Sequence, residues 1–191
     1  LGMREVLTES APDIMLVHGD TTSSMIASLA AFYLQIPLGH VEAGLRTFNI
    51  YSPFPEEVNR RLTGIVTSYH FAPTEQARQN LLLERVDDAR IIVTGNTVID
   101  ALLSILEKAR SVPFDDGILQ QLPFLAHEDP PKIVLVTGHR RENFGHGFEE
   151  ICQALYDLSK LHTEVEFIYP VHLNPNVQEP VNRILSKVTN I

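Results

Sequence analysis

Residues 14–22, Ile-Met-Leu-Val-His-Gly-Asp-Thr-Thr, decide how the rest of the chain is read. The apolar run 14–17 has the length of a buried strand, and the polar turn that follows carries His18 and Asp20. Residues 23–35 then read as a helix so apolar that it should be largely buried, and 37–41 as the next strand. Strand, short turn, helix and strand in that order make a βαβ unit on a parallel sheet.

Working outward, the same alternation recurs. A loop rich in Gly, Pro and Asn covers 43–55, and Pro55 suits the first turn of a helix carried to about residue 68. Strand 69–72 follows, then a helix over 75–84 capped by Thr74, then strand 91–93. Val98, Leu102, Ile105, Leu106 and Ala109 recur at helical spacing, which predicts an amphipathic helix over 96–110. Residues 111–131 hold four prolines (Pro113, Pro123, Pro130 and Pro131) and read as a connector with one short helix. A second α/β run starts at Lys132, with strands at 133–136 and 166–169 and helices from about 147 and over 177–187. The expected division is 1–96 for one Rossmann-like domain and 97–191 for a second. The chain opens inside a helical pattern and closes at what reads as the entry to another strand, which leads us to expect a fragment.

Composition bounds the function. Fifteen Lys and Arg against 24 Asp and Glu give a net charge of −9, which argues against a nucleic-acid surface. The longest mostly apolar stretch, 25–34, is ten residues, whereas a membrane span needs about 20. One cysteine, Cys152, excludes a disulfide framework within the chain. A reducing, cytoplasmic setting is expected, with no membrane or nucleic-acid partner.

In open parallel sheets ligands lie beyond the carboxyl ends of the strands. After the first strand comes His18-Gly-Asp20, and after the second His40-Val-Glu42, so two successive strands deliver a His-x-acid triplet to one edge. Glu56 and Glu57 open the helix after the long loop, where the helix N-terminus favours an ionised acid. Converging carboxylates leave three readings open at this point. Asp20 is only a helix cap and Glu42 only a solvated loop acid; or His and carboxylates hold a hard metal; or the acids perform general acid–base chemistry. The densest cationic spot, His139-Arg140-Arg141 within the turn 137–147, suits a phosphate or pyrophosphate, unless the arginines simply pair with Glu142 and Glu149. His172 ends the following strand, His70 reads as structural, and Cys152 as packing.

Six ordered stretches carry a resemblance: His-Gly-Asp-Thr-Thr at 18–22, His-Val-Glu-Ala-Gly-Leu-Arg at 40–46, Ser-Pro-Phe-Pro-Glu-Glu at 52–57, Thr-Gly-Asn-Thr-Val-Ile-Asp at 94–100, Gly-His-Arg-Arg-Glu-Asn at 138–143 and Tyr-Pro-Val-His-Leu-Asn-Pro-Asn at 169–176. The chain resembles the bacterial non-hydrolysing UDP-N-acetylglucosamine 2-epimerases over essentially its whole length. The resemblance implies two Rossmann-like halves of a glycosyltransferase-B-type α/β fold, both truncated here, with the active site in a cleft between them. It implies C2 epimerisation of a UDP-sugar through elimination and re-addition of UDP, with no cofactor and no metal demanded. It further implies a homodimer and cytoplasmic supply of N-acetylmannosamine nucleotides for surface polysaccharides.

By the same resemblance Asp20, Glu42 and Glu56 match the catalytic acids, and His139 a histidine near the substrate phosphates. Arg140, His172 and Arg46 match substrate-binding positions. The family's N-terminal Gly-Thr-Arg-Pro-Glu loop and C-terminal Asp-Ser-Gly-Gly segment are not in the sequence, so an internal fragment that binds UDP-sugar feebly and does not turn over is expected. A hydrolysing epimerase, a glycosyltransferase-B-type enzyme and a non-catalytic folded module are the competing readings.

Overall fold

The computed structural model describes residues 2–138 and 145–191. The chain forms two compact units, residues 1–111 and 112–191. The first holds strands β1 (Met15–His18), β2 (Leu38–Val41), β3 (Tyr69–Ala72) and β4 (Ile91–Val93), in the order 1-2-3-4 and all parallel. Helices α1 (Gly2–Ser10), α2 (Thr22–Tyr33), α3 (Glu56–Val66) and α4 (Glu75–Leu83) alternate with the strands, as the sequence pattern requires.

Local chemistry sets most boundaries. Thr21 Oγ1 accepts from Ser24 N at 3.2 Å to start α2, and Thr74 Oγ1 accepts from Ala77 N at 3.1 Å to start α4. Pro55 stands one residue ahead of α3, whose first turn carries Glu56 and Glu57. Two small cores hold the unit together. One packs Leu7, Val17, Ala27, Ala31 and Leu38, and the other packs Ala43, Ala72, Ala77, Leu81 and Ile91. One row of register partners, Val17–His40–His70–Ile91, runs across all four strands, with both histidines buried at 1% exposure.

α2 departs from expectation. Only Ala27, Ser28 and Ala31 are buried, while Phe32 and Tyr33 stand 53% and 81% exposed. A helix on one side of a single sheet buries one stripe, and the small residues form that stripe here. Helix α5 (Thr97–Arg110) starts at an Asn96 cap and buries none of its residues. The expected division falls at 96/97, and the first compact unit runs to residue 111 and so includes α5.

The second unit holds α6 (Asp116–Gln121), a 3-10 turn at Pro123–Ala126, the parallel pair β5 (Lys132–Leu135) and β6 (Val165–Ile168), α7 (His146–Leu161) and α8 (Pro175–Leu185). Its core packs Phe148 and Cys152 of α7 against Val177, Val181 and Leu185 of α8. Cys152 is fully buried among them, in keeping with its reading as packing. No strand is assigned at 188–191, but Asn190 binds the edge of β6: its carbonyl accepts from Phe167 N at 2.9 Å. Its amide donates to the carbonyls of Ser159, His162 and Val165 at 2.9–3.2 Å. Among the described residues, no helix is long and apolar enough to cross a membrane.

Candidate active site

The carboxyl edge of the first sheet is built from the turns after β1 and β2 and from the start of α3. Register pairs His18 with Val41, so Glu42 leaves β2 level with Gly19, the residue next to Asp20. Gly19 and Glu42 both take left-handed backbone (φ +73° and +70°), a conformation uncommon for glutamate. A Cβ on Gly19 would lie 3.4 Å from Glu42 Oε2, so the glutamate carboxylate hangs over the residue preceding Asp20. The His18 ring faces the same carboxylate, with Nε2 3.7 Å from Oε2.

Asp20 is not the cap of α2; Thr21 is. Its carboxylate instead receives α3: Arg60 Nε and Nη2 approach the single oxygen Oδ2 at 2.9 and 2.8 Å. Asn59 Nδ2 donates to the Asp20 carbonyl at 2.9 Å, and His40 Nε2 is 2.8 Å from the Gly19 carbonyl. The turn 19–20 is therefore held from the next strand and from α3 at once. Glu56, one helical turn ahead of Arg60, is half-buried on this helix start, and its carboxylate takes part in no hydrogen bond or ion pair among the described residues.

Glu57 is the residue that sequence reasoning underrated. It is fully buried, with Oε1 accepting from Phe48 N at 3.2 Å and Oε2 from Thr47 N at 3.1 Å and Arg60 Nη1 at 3.1 Å. The doublet 56–57 announces a negatively charged helix start. Which of the two points inward depends on how α3 is rotated against the sheet, and that has no local signal.

Arg46 is paired within the chain. Expected to touch substrate, its side chain is only 1% exposed and its guanidinium is occupied. Nε and Nη2 each donate to one oxygen of Glu84 at 2.7 Å, and Nη1 donates to the Leu45 carbonyl at 2.8 Å. The acid lies 38 residues away at the end of α4, so no spacing rule could name it.

Two further histidines sit beneath this edge. Burial depresses the pKa of His40, and it drives that of His70 down to about 4, with the facing His40, Arg90 and Arg46 pushing the same way. Both therefore sit in the core as neutral rings, and Nδ1 of each is buried without a hydrogen-bond partner among the described residues.

In the second unit His172 follows β6 and accepts from Asn174 N at 3.1 Å through Nδ1. Tyr169 Oη donates to the Gly138 carbonyl at 2.6 Å, which ties the end of β6 to the turn after β5. His139 and Arg140 lie outside the described residues. Glu149, one acid considered as their partner, is engaged by Arg183 of α8.

Parallel α/β units with acids on successive strand ends belong to the Rossmann-like, ligand-binding class. The profile for UDP-N-acetylglucosamine 2-epimerase matches residues 1–191, and the chain belongs to that family. It is 57% identical over 195 residues to the UDP-N-acetylglucosamine 2-epimerase of Escherichia coli K12 and 58% identical over 191 residues to that of Yersinia pestis. In both cases the match takes in 100% of this chain and 50% of the relative, so the chain spans about half their length. The crystal structure of the Neisseria meningitidis UDP-GlcNAc 2-epimerase bound to UDP-GlcNAc superposes with a TM-score of 0.92 at 50% identity, covering 99% of this chain and 50% of that one. The Methanocaldococcus jannaschii enzyme in complex with UDP-GlcNAc and UDP gives a TM-score of 0.71 at 32% identity, covering 96% and 48%. The fold is thus α/β of the glycosyltransferase-B type.

Proposed function

We propose that the protein interconverts UDP-N-acetylglucosamine and UDP-N-acetylmannosamine, with Asp20, Glu42 and Glu56 as its acid–base groups. The observation that carries this reading is the placement of the Glu42 carboxylate over Gly19, beside an Asp20 held on one oxygen by Arg60. Relatives of the same family have been solved with UDP-GlcNAc bound, which supplies the substrate class.

The chemistry needs such an edge. A carboxylate takes the C2 proton, the C2–H electron pair forms the C1–C2 double bond, and the C1–O bond to UDP breaks. The products are a 2-acetamidoglucal and UDP. In the return step a UDP oxygen attacks C1 while an acid protonates C2 from the opposite face, so base and acid must flank the ring. His139, Arg140 and His172 belong in this reading to the binding of the nucleotide and its phosphates, where histidine and guanidinium N–H groups match anionic oxygens. The division of the chain into parts of two Rossmann-like domains, assembly as a homodimer, and a cytoplasmic setting complete the proposal.

The test is a reaction of the full-length protein with UDP-GlcNAc in deuterated water. Deuterium at C2 in a sugar that keeps its nucleotide supports epimerisation. Free UDP with a free amino sugar would replace it with hydrolysis, and no reaction without an acceptor would replace it with glycosyl transfer.

A further inference from the structure

Arg60 is the group through which α3 touches the Asp20 carboxylate, and Arg60 is itself held. Its Nη1 rests 3.1 Å from Oε2 of Glu57, a carboxylate with no exposed surface. A buried carboxylate is stable only when its oxygens are met by donors. Glu57 meets three, namely the backbone N–H groups of Thr47 and Phe48 and the Arg60 guanidinium. The other two guanidinium nitrogens that reach Asp20 converge on Oδ2 alone, leaving Oδ1 without a hydrogen bond among the described residues. One oxygen is thereby fixed and the other left to act.

We infer that Glu57 is a positioning residue for the reaction, acting through Arg60 to set the orientation of the Asp20 carboxylate. The inference rests on the epimerase reading for its consequence, since Asp20 has a reaction to serve only there. The contact chain itself is independent of that reading. An arginine free to rotate would follow Asp20 wherever it moved. One clamped to a buried acid has a single position to offer, and misplacement by about 1 Å costs on the order of a hundredfold in rate.

A double-mutant cycle in the full-length protein tests this, with Glu57→Gln, Arg60→Met and the pair. The amide of Glu57→Gln keeps an acceptor for one backbone N–H and turns a donor toward the remaining partners. Expected is a kcat loss of about tenfold to a hundredfold in each single variant with KM for UDP-GlcNAc within about twofold. The double variant should be no slower than Arg60→Met. Losses that multiply in the double variant overturn the proposal, because they would mean that Glu57 matters only through the 47–48 turn.

A second readout does not depend on turnover. In protein carrying 13C-labelled aspartate, the Asp20 carboxyl resonance, assigned by its disappearance in Asp20→Asn, should move in Glu57→Gln and in Arg60→Met alike. If it stays at the parent position in both, the proposal fails. Should Glu57→Gln not fold, Arg60→Met decides alone, since parental kcat and an unmoved Asp20 resonance there would also overturn it. A parent protein with no epimerase activity would remove the functional reading, while the resonance would still decide the contact chain.

Discussion

Arg46 and Glu84 are joined by two hydrogen bonds of 2.7 Å, one from each of two guanidinium nitrogens to a different carboxylate oxygen. This pair ties the loop that follows Glu42 to the end of α4. Removing the acid would leave the Arg46 charge buried and unpaired, so Glu84→Ala should destabilise the protein by about 3 kcal/mol, measured by urea unfolding. UDP-sugar affinity of the folded protein should not change. Affinity lost without a loss of stability would return Arg46 to the substrate.

The same loop is held a second way. Gly44 has φ +87°, and a Cβ there would lie 2.2 Å from the Ala77 carbonyl oxygen in α4, while Asn80 donates to the Gly44 carbonyl at 2.9 Å. Gly44→Ala combines backbone strain with a clash that no side-chain movement relieves. It should cost upwards of about 2 kcal/mol and move Glu42 with it. Calorimetry that finds the variant as stable as the parent would contradict this account of the loop.

Acid should unfold the protein through its buried histidines. The pKa of His70 is lowered to about 4 in the folded chain from an ordinary 6.5, so between these values the unfolded chain binds a proton that the native ring refuses. Stability is fully present above about pH 6.5 and falls as pH drops toward 4, by roughly 3 kcal/mol from this group. His40, shifted the same way, adds to it. Urea midpoints at pH 7.5 and 5 should differ by less in His70→Gln than in the parent.

Among the acids, Asp20→Asn, Glu42→Gln and Glu56→Gln in the full-length protein should each lower kcat by about 10² to 10⁴ while leaving circular dichroism and the thermal midpoint near the parent values. A variant with parental C2 deuterium exchange removes that residue from the acid–base set.

In the second unit Asn190 satisfies three carbonyls at the end of α7 and the start of β6. Asn190→Ala strips all three of a donor and should cost about 2 kcal/mol. Hydrogen exchange at the Phe167 amide, which is bonded to the Asn190 carbonyl, should accelerate in parallel.

The alternation of strands and helices from β1 to α8 was legible among the described residues because it is written in local rules. Apolar runs of strand length, the Thr74 cap and the Pro-rich connector each act over a few residues. So was the edge that carries Asp20 and Glu42, since position after a parallel strand is itself a local fact. The apolar run of α2 misled for the same reason: composition says how much a helix can bury, and the neighbours decide how much it does.

What only the tertiary structure decided are relations across long stretches of chain. These are Glu57 rather than Glu56 turned inward, Arg60 reaching Asp20 40 residues away, and Arg46 spent on Glu84. A charged side chain takes the partner that compensates its lost hydration, and that partner is chosen when distant elements pack. The sequence by itself names the charges and the edge they stand on; three-dimensional packing assigns each charge its counterpart.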